Sequence, residues 1–285
     1  MYRSLEEICK EAAATGCSFW ELIQKDDCRE RQIAQEESFV QLQRMYQAMK
    51  EADQDYDETL HSRSGLVGTD GGKLEHYVEQ EEPICGDFLG RVMEKAVKMG
   101  ESNACMKRIV AAPTAGACGV VPAVFLSMQE KYHYTDEEMT KALYVAAGIG
   151  GGIASRAFIA GAQGGCQAEI GSASAMAAGG AVHLRGGSVE AVAHAAAMAL
   201  KNLLGLVCDP VAGLVEVPCV KRNVSGAVVA LSAADMALAG VRSRIPPDEV
   251  IDAMREVGIS MPACLRETGE GGLAATPEGI KMRDR

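Results

Sequence analysis

The sequence predicts an all-α protein, and three observations carry that prediction. Apolar residues recur at helical spacing in one segment after another. No alternation of apolar and polar residues lasts long enough for a strand, and Val and Ile fall mainly inside helical periods. The chain is 48% hydrophobic with only 5% aromatic residues and 31 glycines, so its core is built from small side chains and its helices must pack backbone to backbone.

The elements follow in order. Leu5, Ile8, Cys9 and Ala12 share one stripe, and Ile33, Val40, Met45 and Met49 suggest a second helix. Residues 1–60 therefore read as an N-terminal helical arm and residues 61–285 as the main body. Residues 61–73, HSRSGLVGTDGGK, are rich in glycine and hydroxyl side chains and read as an irregular loop. Helical period resumes with Phe88, Val92, Ala96 and Met99. PTAGACG (113–119) is a turn-forming cluster, and Pro122 fits the first turn of an apolar helix running towards Tyr132. Thr135 and Glu138 form a capping box before a helix over 139–147. Ser188 is the expected N-cap of VEAVAHAAAMALKNLL, with Gly205 as its stop. Another helix should run from about Asn223 to Ala239, and PPDEVIDAMREVG begins with proline and ends with glycine as a helix does.

Charge excludes some functions. With 28 basic against 39 acidic side chains the net charge is −11, which repels phosphate backbones and anionic lipid and argues against binding nucleic acid or membranes. No stretch offers about 18 strongly apolar residues in a row. The N-terminus is acidic where an export signal needs a basic region, so a cytoplasmic location is expected. In that reducing setting the ten cysteines read as buried thiols or metal ligands rather than disulfides.

Three of them stand out. Cys166 follows Gly164-Gly165 at the start of a helical run, where the helix dipole lowers a thiol pKa. Cys208 and Cys219 bracket CDPVAGLVEVPC, a loop held by Pro210, Gly213 and Pro218. The three thiolates can converge on a metal centre. They can equally be small buried hydrophobes, because their spacing matches neither C-x-x-C zinc pairs nor ferredoxin runs. The PTAGACG turn, with Thr114, Ala115 and Gly116, offers backbone N–H groups and a hydroxyl as an anion cradle, or is an ordinary turn before a helix. Of the five histidines, His61, His76, His133, His183 and His194, only His61 adjoins the glycine-rich loop, which makes it the candidate proton acceptor.

The stretches AAPTAGACGVVPA, GGCQAEIGSASAMAAGG, LKNLLGLVCDPVAGLVEVPCVKRN, AADMALAG, IPPDEVIDAM and LRETGEGGLAATPEG together resemble the α chain of the bacterial iron-sulfur-dependent L-serine dehydratases over nearly the whole length. The resemblance implies a 4Fe-4S cluster held by Cys166, Cys208 and Cys219, with one iron left without a protein thiolate. It implies that this iron binds L-serine and that residues 61–285 are the catalytic domain. No lysine sits in a Schiff-base setting, so pyridoxal phosphate is not expected. SRSGLVGTDGGKL is similar to the family's substrate loop, which carries Ser62, Ser64 and Gly65 over as substrate-binding candidates, with Asp70 and Lys73 behind them. The family's Thr is Ser64 here, and its Gly-Gly-Asp reads Gly68-Thr69-Asp70. Asn223 and Arg222 follow a ligand cysteine and are candidate supporting donors. The family's Ser-His-Thr motif belongs to a β part absent from this sequence, so the resemblance implies a β-chain partner that supplies the base or part of the substrate grip. The chain also lacks the terminal cysteine that caps the open iron in some fused relatives, so that self-inhibition is not expected. Three alternatives remain beside this reading: a cysteine desulfidase of similar fold, a non-catalytic cluster-binding regulator, and a helical scaffold without metal.

Overall fold

The computed structural model describes residues 2–284, and every regular element among them is helical. The α-helices are α1 (Leu5–Thr15), α2 (Phe19–Arg31), α3 (Gln35–Gln54), α4 (Asp70–Gln80), α5 (Gly86–Ala104), α6 (Val120–Tyr132), α7 (Asp136–Arg156), α8 (Gly161–Gly164), α9 (Ser172–Leu184), α10 (Val189–Lys201), α11 (Cys219–Leu238), α12 (Pro247–Ser260) and α13 (Pro277–Arg283). The one strand-like pairing among the described residues is an isolated parallel bridge between Cys208 and Arg266.

Helix α9 lies at the centre and packs against α6, α7, α10 and α11. Its sequence, SASAMAAGGAVHL, has no polar face, and every residue from Ser172 to Val182 is buried, as expected of a helix surrounded on all sides. The small side chains allow that enclosure. A Cβ on Gly180 would stand 2.2 Å from the Phe125 ring of α6. Beside it, the buried Ser174 Oγ donates to the Gly226 carbonyl of α11 at 2.8 Å, so this hydroxyl is satisfied by a neighbouring backbone.

Residues 1–60 lie along α7, α10 and α12, and Leu5, Ile8, Phe19, Leu22, Tyr46 and Met49 join the same core as the residues around α9. The first turn of α1 is capped twice. Ser4 Oγ accepts from the Glu7 N–H at 3.1 Å, and the Asp248 carboxylate of α12 accepts from the Leu5 and Glu6 N–H groups at 2.9 and 3.0 Å.

The N-terminal segment contains three helices where two were expected. The additional one, α2, has a polar sequence that hides its apolar stripe, but Glu21 reaches back to the Ser18 N–H at 2.8 Å in capping-box fashion. The expected irregular loop 61–73 ends early, because Asp70 already begins α4. Buried Glu101 serves as that helix's cap, accepting from the N–H groups of Gly68, Asp70 and Gly71 at 3.1, 3.0 and 3.0 Å. The capping box at Thr135–Glu138 and the cap at Ser188 form as predicted. Two glycines expected to end helices do other work. Helix α10 stops at Lys201, and Gly205 takes a positive φ of 84° at a turn that presents its N–H to Gln167 Oε1 at 2.9 Å. Gly258 lies inside α12, where a Cβ would come within 2.9 Å of Gly164 Cα. Helix α11 starts at Cys219, four residues before the predicted position, directly after Pro218.

Gly119, just before α6, faces the Ala96 carbonyl oxygen of α5, with 2.5 Å left for a Cβ, and Asn223 at 3.0 Å. Because a backbone carbonyl has little room to yield, Gly119→Ala should cost about 2–3 kcal/mol of stability through overpacking. Denaturant melts of the two proteins measure this, and an unchanged midpoint would refute the close packing.

Candidate active site

Cys166 caps a single π-helical turn, Gln167–Gly171, that runs directly into α9. Turns of this kind re-aim side chains and recur at functional sites. Gln167 fixes it in place. Its Nε2 donates to the Met254 carbonyl of α12 at 3.0 Å, its Oε1 accepts from Gly205, and its backbone N–H donates to the Leu206 carbonyl at 2.9 Å. The residue beside the thiol is thus bound to two other parts of the chain.

The loop from Cys208 to Cys219 is held at both ends. Cys208 exchanges backbone hydrogen bonds with the segment following α12, its N–H donating to Leu265 O at 2.9 Å and its carbonyl accepting from Glu267 at 2.8 Å. Cys219 opens α11 after a cis Val217–Pro218 peptide. Within α11, Arg222 donates to the Val207 carbonyl at 2.7 Å and pairs with Asp209 at 2.8 Å, and its positive charge acts on Cys166. The three cysteines are 3, 3 and 8% exposed, so all are buried. They also feel one another electrostatically: Cys166 and Cys219 both act on Cys208. Burial pushes Cys166 up to about 12 and Cys219 up to about 11, and raises Cys208 as well. The expected lowering by the helix start at Cys166 is therefore overturned, since desolvation of a thiolate outweighs a terminal dipole. Among the described residues no three His, Cys, Asp or Glu side chains share a single-ion site.

The expected substrate loop meets this region through Glu216, a residue between Cys208 and Cys219. Ser62 Oγ donates to Glu216 Oε2 at 3.0 Å and Ser64 Oγ binds the same oxygen. Gly65, with φ 73°, makes the turn, its N–H donating to the Ser62 carbonyl at 2.9 Å. Asp70 and Lys73 pair with each other in the first turn of α4, and Asp70 also pairs with Lys221 of α11. His61 is exposed next to Ser62.

Asn223 joins the PTAGACG turn to the cysteine helix. Its Oδ1 accepts from the Gly119 N–H at 2.9 Å, and its Nδ2 donates to the carbonyls of Gly116 and Cys219, both at 3.0 Å. Ala115 to Ala117 form a short 3-10 turn, so Gly116 is held beside Cys219. The Thr114 hydroxyl is turned to Glu169, donating to its Oε1 at 2.7 Å. A Cβ on Gly116 would lie 3.4 Å from both Glu169 oxygens. Glu169 itself stands on the π-helical turn; burial, with Glu267 adding to it, raises its carboxyl above the usual range, and the Thr114 hydrogen bond opposes the rise.

Four acidic residues that sequence reading missed thus organise the site: Glu101, Glu169, Glu216 and Glu267. A signal was present for two of them, since Glu169 interrupts a long Ala/Gly/Ser tract and Glu216 stands among apolar residues between two cysteines. A surface groove of about 860 Å³ bounded by Phe88, Arg91, Lys131, Tyr132 and Arg185 contains none of these residues.

The family model described as "Serine dehydratase alpha chain" matches residues 14–274. The chain belongs to the serine dehydratase alpha-chain family. It is 46% identical over 285 residues to the probable L-serine dehydratase, alpha chain, of Bacillus subtilis, covering all of this chain and 95% of that one. It is 41% identical over 282 residues to the L-serine dehydratase, alpha chain, of Peptoniphilus asaccharolyticus, covering 99% and 96%. L-serine dehydratase 1 of Escherichia coli is 45% identical over 181 residues, which are 63% of this chain and 40% of that longer protein. The matched span of this serine dehydratase alpha chain takes in Cys166, Cys208, Cys219 and the residues that tie them together.

Two variants test the ties. Asn223→Ala leaves the buried Gly119 N–H without its acceptor and should cost roughly 2–4 kcal/mol, read from denaturant melts; a cost under about 0.5 kcal/mol, the scale of an ordinary surface change, contradicts the role. Glu101→Gln places an amide N–H₂ among the N–H donors of α4, so backbone amides 66–72 should exchange hydrogen markedly faster while those of α9 keep their protection.

Proposed function

We propose that this chain is the α chain of an iron-sulfur L-serine dehydratase, converting L-serine to pyruvate and ammonia with a 4Fe-4S cluster on Cys166, Cys208 and Cys219. One observation carries the reading: three buried thiols, 42 and 11 residues apart in sequence, are drawn into mutual electrostatic reach in a chain of this family. The donor set fits such a group. The thiolates of a cluster bind different irons and need no common single-ion centre, and Gly161 leaves open the space 2.9 Å from Cys208 Sγ that a side chain would fill. When bound, a cluster with one iron lacking a protein thiolate supplies a Lewis acid for the departing β-hydroxyl.

The chain's own residues do the remaining work. Arg222 offsets negative charge beside Cys166. Asn223 holds Thr114, Ala115 and Gly116 against the start of α11, and Glu216 draws Ser62, Ser64 and Gly65 to the rim of the cysteine loop. His61, exposed beside that loop, is the chain's own candidate to take the Cα proton. A β chain is proposed to complete the substrate grip, in keeping with the "alpha chain" names of the relatives. The reading needs no pyridoxal phosphate. It places the enzyme in the cytoplasm, where thiolates stay reduced, and no described helix is long and apolar enough to cross a membrane.

Anaerobic purification followed by iron and acid-labile sulfide analysis tests the assignment. About four of each per chain are expected, lost in Cys166→Ala, Cys208→Ala and Cys219→Ala, with serine turnover on adding a β chain. Activity should decay in air and recover in part with ferrous iron and thiol. A parent chain that takes up no iron on reconstitution overturns the reading; sulfide release from L-cysteine without serine turnover replaces it with a desulfidase.

A further inference from the structure

We propose that Glu169 receives the α-ammonium group of the amino-acid substrate, with Glu267 as the second carboxylate of the same subsite; this rests on the dehydratase reading above.

Glu169 is half-buried on the π-helical turn after Cys166, and its acidic neighbour is Glu267. The two carboxylates face one point: a Cβ built on Gly161 would lie 2.9 Å from Glu169 Oε2, 3.3 Å from Glu267 Oε2 and 2.9 Å from Cys208 Sγ. Among the described residues neither carboxylate has a cationic partner within 4.0 Å. The guanidinium on the thiol side, Arg222, is taken up by Asp209 and Val207. Glu169 is half-buried and Glu267 is exposed; two carboxylates held this close without a counter-charge repel each other, and a cation arriving between them relieves that repulsion.

The structure also fixes them in position. Thr114 holds Glu169 Oε1, leaving Oε2 directed at the Gly161 space. Glu267 sits at φ 66°, a left-handed conformation that side-chain-bearing residues rarely keep unless their surroundings impose it. The imposing contact is its N–H bond to the Cys208 carbonyl at 2.8 Å. Gly116 and Gly161 keep the approach to Glu169 free of side chains.

The substrate of a serine dehydratase carries one group that matches this subsite. Its carboxylate is repelled by a carboxylate pair and its hydroxyl offers a single neutral donor, whereas its ammonium is a compact cation with three donors. The PTAGACG turn, whose expected role was an anion cradle, faces Glu169 through Gly116 and Thr114, so its sign suits the ammonium end of the substrate.

The test compares L-serine with 3-hydroxypropionate, which keeps the carboxylate and β-hydroxyl and lacks the amine. The enzyme is reconstituted anaerobically with its β chain; binding is followed by calorimetry and by KM for serine against Ki for the analogue. In the parent, serine should bind on the order of 100-fold more tightly than the analogue. In Glu169→Gln that preference should collapse to within about threefold, through a higher KM for serine with the analogue's Ki little changed, because only the charge pair is lost. Glu169→Asp keeps the charge with shorter reach and should retain part of the preference. Iron and sulfide content should be unchanged in both variants. A parent that binds both ligands alike, variants that weaken both alike, or variants that fold but hold no iron overturn the assignment. A parent with full iron content and no serine turnover overturns the dehydratase reading itself and is distinguishable from all three.

Discussion

Helix α9 occupies the centre of the molecule because most of its surface carries nothing larger than alanine, and four helices approach it at backbone distance. That close approach decides what the other elements can do. The neighbours supply the bulk that α9 lacks, as when the Phe125 ring fills the space over Gly180. The N-terminal end of the same helix continues without a break into the π-helical turn that carries Cys166, Gln167 and Glu169. A reactive segment attached to the most enclosed helix inherits its rigidity, which suits chemistry that needs groups placed within a fraction of an ångström.

Around that anchor the loops are joined by single side chains that each satisfy several backbone groups. Asn223 ties the turn at 113–119 to α11, Gln167 ties Cys166 to α12 and to the loop before Cys208, and Glu101 ties residues 68–71 to α5. Buried polar groups of this kind stabilise little in net terms when paired but cost much when left alone. They therefore select one arrangement of loops over nearby alternatives more than they add stability.

The sequence made the helical class legible because alanine, glycine and apolar period carry that information locally. Thr135, Glu138 and Ser188 announced their helix starts, since a cap is a contact between residues three apart. What escaped was set by distant partners. Gly205 and Gly258 look like helix stops, yet Gln167 and Gly164, far away in sequence, explain them. Ser62 and Ser64 were singled out, but the Glu216 that organises them lies more than 150 residues on. The thiol at Cys166 has the helix start that was read for it; its burial, which reverses the direction of its pKa, is a property of the assembled core.

The double cap on α1 bears on the order in which the molecule comes into being. Two of the first free N–H groups of that helix wait for Asp248, which lies 243 residues further along than Leu5. On a ribosome, the first helix emerges long before its partner is synthesised, so its start can be completed only after almost all of the chain has been released. Helix α12 thus completes the cap of α1, and a nascent chain arrested before residue 248 carries α1 with its apolar stripe formed and the α12 part of its docking surface not yet made.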